Sequence, residues 1–123
     1  MEFKFQGKRE DNGKWVQGDL LYLNGSWISR KEKASLSLEN VFKVQPETVC
    51  QYANKKDKYG EEIYSGDVIK IYDKQATWVG EVYFNENKLA WMIRTKDYDI
   101  CSLAYCKNFK RINSIHDNPE LIT

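Results

Sequence analysis

The sequence is poor in the residues that most enzyme chemistry requires. Its single histidine, His116, is the one side chain available as a neutral-pH base for a cysteine or serine nucleophile, and no nucleophile stands near it in the chain. It reads as an ordinary surface histidine in a turn. The seven glycines are scattered singly, so no glycine-rich loop is present to cradle a phosphate. Carboxylate pairs such as Asp67 with Glu81 across a sheet arise by chance among 18 acidic residues and are not assigned a catalytic role. The expectation is a non-enzymatic protein with no catalytic residue, no cofactor and no small-molecule substrate.

Other scarcities narrow the class further. Cys50, Cys101 and Cys106 are an odd number, and cysteines in odd number without a secretory leader are expected to be reduced, packed or idle thiols. Zinc needs ligands in tight pairs; Cys101 and Cys106 have four residues between them and no second pair exists, so no metal site is expected. No apolar run approaches the ~20 residues of a membrane span, and MEFKFQGKRE lacks the apolar stretch of a signal peptide. A cytoplasmic protein with no membrane partner is expected. With 19 Lys+Arg against 18 Asp+Glu, the basic excess of an electrostatically driven nucleic-acid binder is missing.

Helix-favouring Ala and Leu are sparse, whereas four Trp and eight Tyr are present, which tilts the chain towards sheet. Its 123 residues suit a single domain, 1–123, with sub-lobes at 1–45 (N-terminal hairpin region) and 46–123 (barrel-like region). The fold expected is mostly β: a small curled antiparallel sheet or an SH3-like, partly open barrel, with an N-terminal β-hairpin and little helix.

Asn12-Gly13 is a strong hairpin signal, because both residues tolerate the positive φ of a type I′ turn. A two-residue turn there sets Arg9 opposite Val16, Phe5 opposite Leu20 and Phe3 opposite Tyr22. Phe3, Phe5, Gly7, Val16, Gly18, Leu20 and Tyr22 then share one face. Asn24-Gly25 leads to a further strand, Ser26-Trp27-Ile28. A second hairpin turns at 85–88, with Phe84 opposite Leu89, Val82 opposite Trp91 and Gly80 opposite Ile93. Gly80 facing a large side chain signals a bend or close approach.

Between the hairpins, residues 30–40 are charged and serine-rich and read as a loop or edge strand. Val41–Val44 reads as a strand, and one helical turn is expected around Thr48–Asn54. Lys55–Gly60 is a charged turn closed by glycine. Ser65-Gly66-Asp67 then launches a β-branched strand, with the Asp67 carboxylate expected to accept backbone N–H bonds. Short strands at 100–103 and 110–115 follow, and Pro119-Glu120 could begin a final helical turn.

Four blocks are more specific than this patterning: KFQGKREDNGKWVQGDL at residues 4–20, PETVCQY at 46–52, KDKYGEEIYSGDVI at 56–69 and IHDNPELI at 115–122. Together they resemble the YopX family of small phage and prophage proteins, across nearly the whole chain. The resemblance implies a mostly β, intracellular, phage-derived protein and assigns no catalytic or ligand residue.

Two binding readings follow. A small twisted sheet exposes edges, and aromatic side chains such as Tyr22, Trp27, Tyr52, Tyr64, Tyr72 and Tyr83 supply anchors, so a protein-interaction or self-assembling module with a protein partner or homo-oligomeric state is the first. The alternative is a small β-barrel binding single-stranded nucleic acid, its aromatics stacking bases beside lysines. The nucleic-acid candidates are Tyr52, Lys55, Lys56, Lys58, Tyr59, Lys70 and Tyr72, and the interaction surface read from the sequence is Tyr52, Lys55, Lys56, Tyr59, Tyr64 and Tyr72. Asp57, Glu61, Glu62, Asp67 and Asp73 in the same stretch weigh against the nucleic-acid reading.

Overall fold

Alternation of apolar and polar residues is realised as eleven strands in a computed structural model that describes residues 2–30 and 40–122. In chain order they are β1 (Phe5–Lys8), β2 (Trp15–Tyr22), β3 (Ser26–Ser29), β4 (Val41–Val44), β5 (Cys50–Lys56), β6 (Glu62–Tyr64), β7 (Asp67–Tyr72), β8 (Thr77–Asn85), β9 (Ala90–Arg94), β10 (Asp99–Ser102) and β11 (Phe109–Ser114). Short 3-10 turns occupy Pro46–Thr48, Leu103–Tyr105 and Pro119–Ile122. The strands form two antiparallel sheets, ordered β4-β3-β2-β1-β5-β6 and β10-β9-β8-β7-β11.

The mostly β, antiparallel expectation holds, but neither sheet closes into a barrel. Closure would require the terminal strands of a sheet to pair, and β10 and β11 end their sheet without pairing each other. Most of the expected loop or edge strand at 30–40 lies outside the described residues; its two ends are joined by the Arg30 N–H to Asn40 carbonyl bond at 3.0 Å.

The chain divides between Tyr52 and Ala53, inside β5, into two compact units. In the first, Val16, Ile28 and Val44 form the core, with Phe5, Leu20, Phe42 and Val49 packed against them. Thr48 ties the Pro46–Thr48 turn to β1, its hydroxyl accepting the Lys8 N–H at 2.8 Å and donating to the Gln45 carbonyl at 2.7 Å. In the second unit Ile63, Ile69, Val82, Ile93, Leu103 and Phe109 are almost wholly buried, joined by Ala53, Ile71 and Cys106. Each such aliphatic or aromatic side chain contributes roughly 1.5–3 kcal/mol of burial.

Both hairpins are shifted by two residues from the expected pairing. β1 and β2 pair Phe5 with Gly18 and Gly7 with Val16. Among Asn12 and Gly13 only the glycine takes positive φ, at 71°, so the two-residue type I′ turn does not form. Instead Arg9 N–H bonds Lys14 O at 2.9 Å, and Asn12 Oδ1 accepts the Lys14 N–H. Likewise β8 and β9 pair Val82 with Ile93 and Phe84 with Trp91. Leu89, expected in the strand, lies in the turn at φ 50° and is exposed; Asn85 Oδ1 accepts the Lys88 N–H and closes that turn. A shift of two preserves which face each side chain takes, which is why the core positions Val16, Val82 and Ile93 were still assigned to the inner face. Phe3 and Tyr22, expected on that face, are exposed, because the β1–β2 ladder stops at Phe5 and Gly18. The helical turn expected at Thr48–Asn54 is the strand β5, with 3-10 geometry confined to Pro46–Thr48.

Candidate functional site

The second unit is organised around two acidic side chains that the charged turn and the Gly-Asp step supply. Asp57 reaches back into its own turn: Oδ1 accepts the N–H groups of Tyr59 and Glu61, each at 2.9 Å, and Oδ2 accepts the Arg111 N–H at 2.8 Å. Burial opposes its charge, yet the Arg111, Glu61 and Tyr59 amides and the Arg111 guanidinium outweigh it and hold the carboxyl below its ordinary value. Asp67 is fully buried, and its Oδ2 accepts the Tyr64 N–H at 2.8 Å across the turn. Arg111 Nε lies 3.1 Å from Oδ1 in ion-pair contact, off the line of a good hydrogen bond. Burial pushes the Asp67 carboxyl up to about 6, against the pull of the Tyr64 amide and Arg111. Asp67 thus takes the backbone-bonding role read for it, and Glu81 pairs with Arg94 at 3.5 Å.

The same unit carries an open groove of about 900 Å³. The end of β7 contributes Ile71 and Tyr72, β8 contributes Trp78, and β10 contributes Asp99, Ile100 and Cys101. Ile71 and Cys106 are its buried parts, whereas Tyr98 (56% exposed) and Tyr105 (84%) stand free of the core beside a half-buried Tyr72. Asp73, Lys74 and Lys107 add mixed charge to the lining. A register shift between Asp99 and Cys101 interrupts the β9–β10 ladder; such bulges re-aim side chains, and here Ile100 both packs on the core and lines the groove. Tyr83 donates to Asp99 at 2.5 Å and lies under the Arg94 guanidinium, 4.1 Å from its ring. The hydrogen bond to Asp99 raises the Tyr83 phenol above its ordinary value.

The candidate residues read from the sequence separate into three groups. Tyr52 and Tyr64 are buried, Tyr52 beneath the Lys4 ammonium and Tyr64 with its hydroxyl 3.3 Å from Glu62, so neither presents a ring to a partner. Lys55 points inward along the chain: Nζ donates to the Leu103 and Ala104 carbonyls at 2.9 and 3.2 Å and holds the 3-10 turn that bears Tyr105. Lys56 is exposed at the end of β5. Tyr59 and Tyr72 do come together, bridged by Lys58, whose ammonium lies 5.4 and 4.2 Å from the two ring centres, with Lys70 at 5.6 Å from Tyr72. Sequence reasoning missed Trp78, Ile100, Tyr98 and Tyr105 as lining of one groove. They lie on three separate segments, and the signal available was the excess of aromatics alone.

Residues 4–123 match the family model described as YopX protein. The match spans nearly the whole chain, and the chain belongs to that family. No curated protein matches it.

Proposed function

We propose that this YopX family chain is a non-enzymatic protein-interaction module of phage or prophage origin, acting in the host cytoplasm, and that its groove receives an extended apolar segment of a partner protein. The observation that supports this reading is the convergence of Tyr72, Trp78, Tyr98 and Tyr105 on one open groove with an apolar floor. Partly exposed Tyr and Trp side chains over apolar pockets are the usual anchors of protein contacts. β10 lies in the lining and ends its sheet, so an incoming strand can add to it while side chains enter the groove. Asp73 and Lys74, with Asp99 and Lys107, make a rim of both signs, which suits a peptide better than a polyanion.

A peptide-display selection on the full chain tests the reading. Selected peptides should share aromatic or aliphatic residues at alternate positions and should lose at least tenfold in affinity to Trp78→Ala, with Tyr22→Ala unchanged. Peptides indifferent to Trp78→Ala would overturn it. Sedimentation at two concentrations shows whether a second copy is the occupant.

A second reading, single-stranded nucleic acid, is favoured by one observation: Tyr59 and Tyr72 flank Lys58, with Lys70 close by. Anisotropy of labelled oligonucleotides at low and moderate salt tests it, and absence of salt-sensitive binding rejects it.

A further inference from the structure

We propose that Cys101 and Cys106 are a redox-reversible dithiol site, closed to a disulfide by a low-molecular-weight disulfide. Their sulfurs lie 3.4 Å apart. A disulfide needs about 2.05 Å, so rotation of the two side chains through a little over an ångström brings them to bonding distance. This inference goes beyond the docking reading and does not depend on it.

The backbone around the pair is held in place. Cys101 lies in β10, and Cys106 follows the 3-10 turn Leu103–Tyr105, donating its own N–H to the Leu103 carbonyl at 3.1 Å. Ser102 Oγ accepts the Ala104 N–H at the start of that turn, and the Lys55 ammonium bonds the Leu103 and Ala104 carbonyls. Four residues that would be a floppy loop in a peptide are therefore fixed in the form that keeps the two sulfurs together, which raises their effective concentration.

The two thiols differ in access, which sets the order of a two-step exchange. Cys101 is half-buried and faces the open groove, within reach of a small disulfide. Cys106 is 5% exposed, and burial together with the neighbouring Cys101 sulfur pushes its thiol up to about 12. Cys101, as thiolate, attacks one sulfur of R–S–S–R, forming the mixed disulfide Cys101–S–S–R and releasing the first RSH. Cys106 then gives its proton to solvent, its sulfur attacks Cys101 Sγ, and the second RSH leaves. Two protein thiols are oxidised by two electrons, one disulfide is reduced, and both thiol protons end on RSH. Cys50 is an internal comparison: it is buried, with its thiol donated to the Thr48 carbonyl at 3.1 Å.

The reduced full-length chain, equilibrated with graded ratios of reduced and oxidised glutathione, quenched by alkylation and cleaved after lysine, tests the proposal. Residues 97–107 form one peptide holding both cysteines, and Cys50 falls in another. The 97–107 peptide should lose two hydrogens, take no alkyl group, and recover both thiols with dithiothreitol. Closure should occur at a glutathione ratio at least tenfold more reducing in the native protein than in urea, because the fold supplies the proximity. Cys106→Ser, or Cys106→Ala if serine is not tolerated at the buried position, should leave glutathione attached to Cys101. Two alkyl groups on that peptide at every ratio, or equal closure in urea and in native buffer, would overturn the proposal.

Discussion

Arg111 brings its Nε to 3.1 Å from Asp67 Oδ1, while its backbone N–H is held by Asp57 at 2.8 Å. One residue of β11 thus joins the charged turn after β5 to the Gly-Asp step before β7. Of the two carboxylates, the one with three amide donors is held charged and the fully buried one is pushed towards neutrality.

Asp67 gives the fold a pH dependence of definite sign. Its folded value, about 6, lies above the ordinary 3.8, so its stabilising contribution is full below about pH 3.8 and is lost as pH rises through about 6. About two units at about 1.4 kcal/mol each make the swing about 3 kcal/mol. Urea unfolding of wild type and Asp67→Asn between pH 4 and pH 7 measures most of it: the variant should gain about 2 kcal/mol on wild type as pH rises. A difference that stays flat across that window would show that Asp67 titrates normally.

Asp57 should behave in the opposite way. Removing it by Asp57→Ala leaves three amides without their acceptor and should cost about 3 kcal/mol at pH 7. Because its carboxyl is held low, the cost should shrink as pH falls below the ordinary carboxylate range. Hydrogen exchange at the Tyr59, Glu61 and Arg111 amides should accelerate in the variant.

Gly80 is required by space. A Cβ there would lie 2.7 Å from Ile93 Cγ2 and 2.8 Å from the Arg94 carbonyl oxygen, and the carbonyl belongs to the paired strand and cannot yield. Gly80→Ala should cost about 2–3 kcal/mol by overpacking. Gly13→Ala meets no neighbour and carries only the positive-φ penalty, about 1 kcal/mol. Denaturant midpoints of the two variants test the contrast.

Lys55→Met removes both ammonium bonds to the Leu103 and Ala104 carbonyls and should cost about 1–2 kcal/mol. Amide exchange should rise at Cys106, whose N–H closes the same turn. Unchanged exchange there would show that the turn is held without Lys55.

Strand content, the turn glycines and most inner-face positions were legible in the sequence, since alternation and turn chemistry act over a few neighbouring residues. The registers were less so: Leu89 reads as a strand residue by its apolarity, yet the Asn85 side chain captures Lys88 and draws Leu89 into the turn. Asp57 reads as one more surface charge in a lysine-rich turn; its bonds from Tyr59 and Glu61 are local, whereas the bond from Arg111, 54 positions along, comes only with the tertiary structure. Tyr52 and Tyr64 read as contact anchors because an aromatic in an alternating strand does not announce which way its strand will face.

By itself the sequence determined an antiparallel β protein with turns at its Asn-Gly and Gly-Asp steps, because these depend on φ preference and a period of two; its membership of the YopX family rests instead on the match over residues 4–123. The tertiary structure alone decided that Arg111 would meet two distant carboxylates, that four aromatics would share a groove, and that Cys101 and Cys106 would stand sulfur to sulfur. Those meetings depend on strand order and register, and register is selected by cross-strand packing and turn hydrogen bonds that no local window contains.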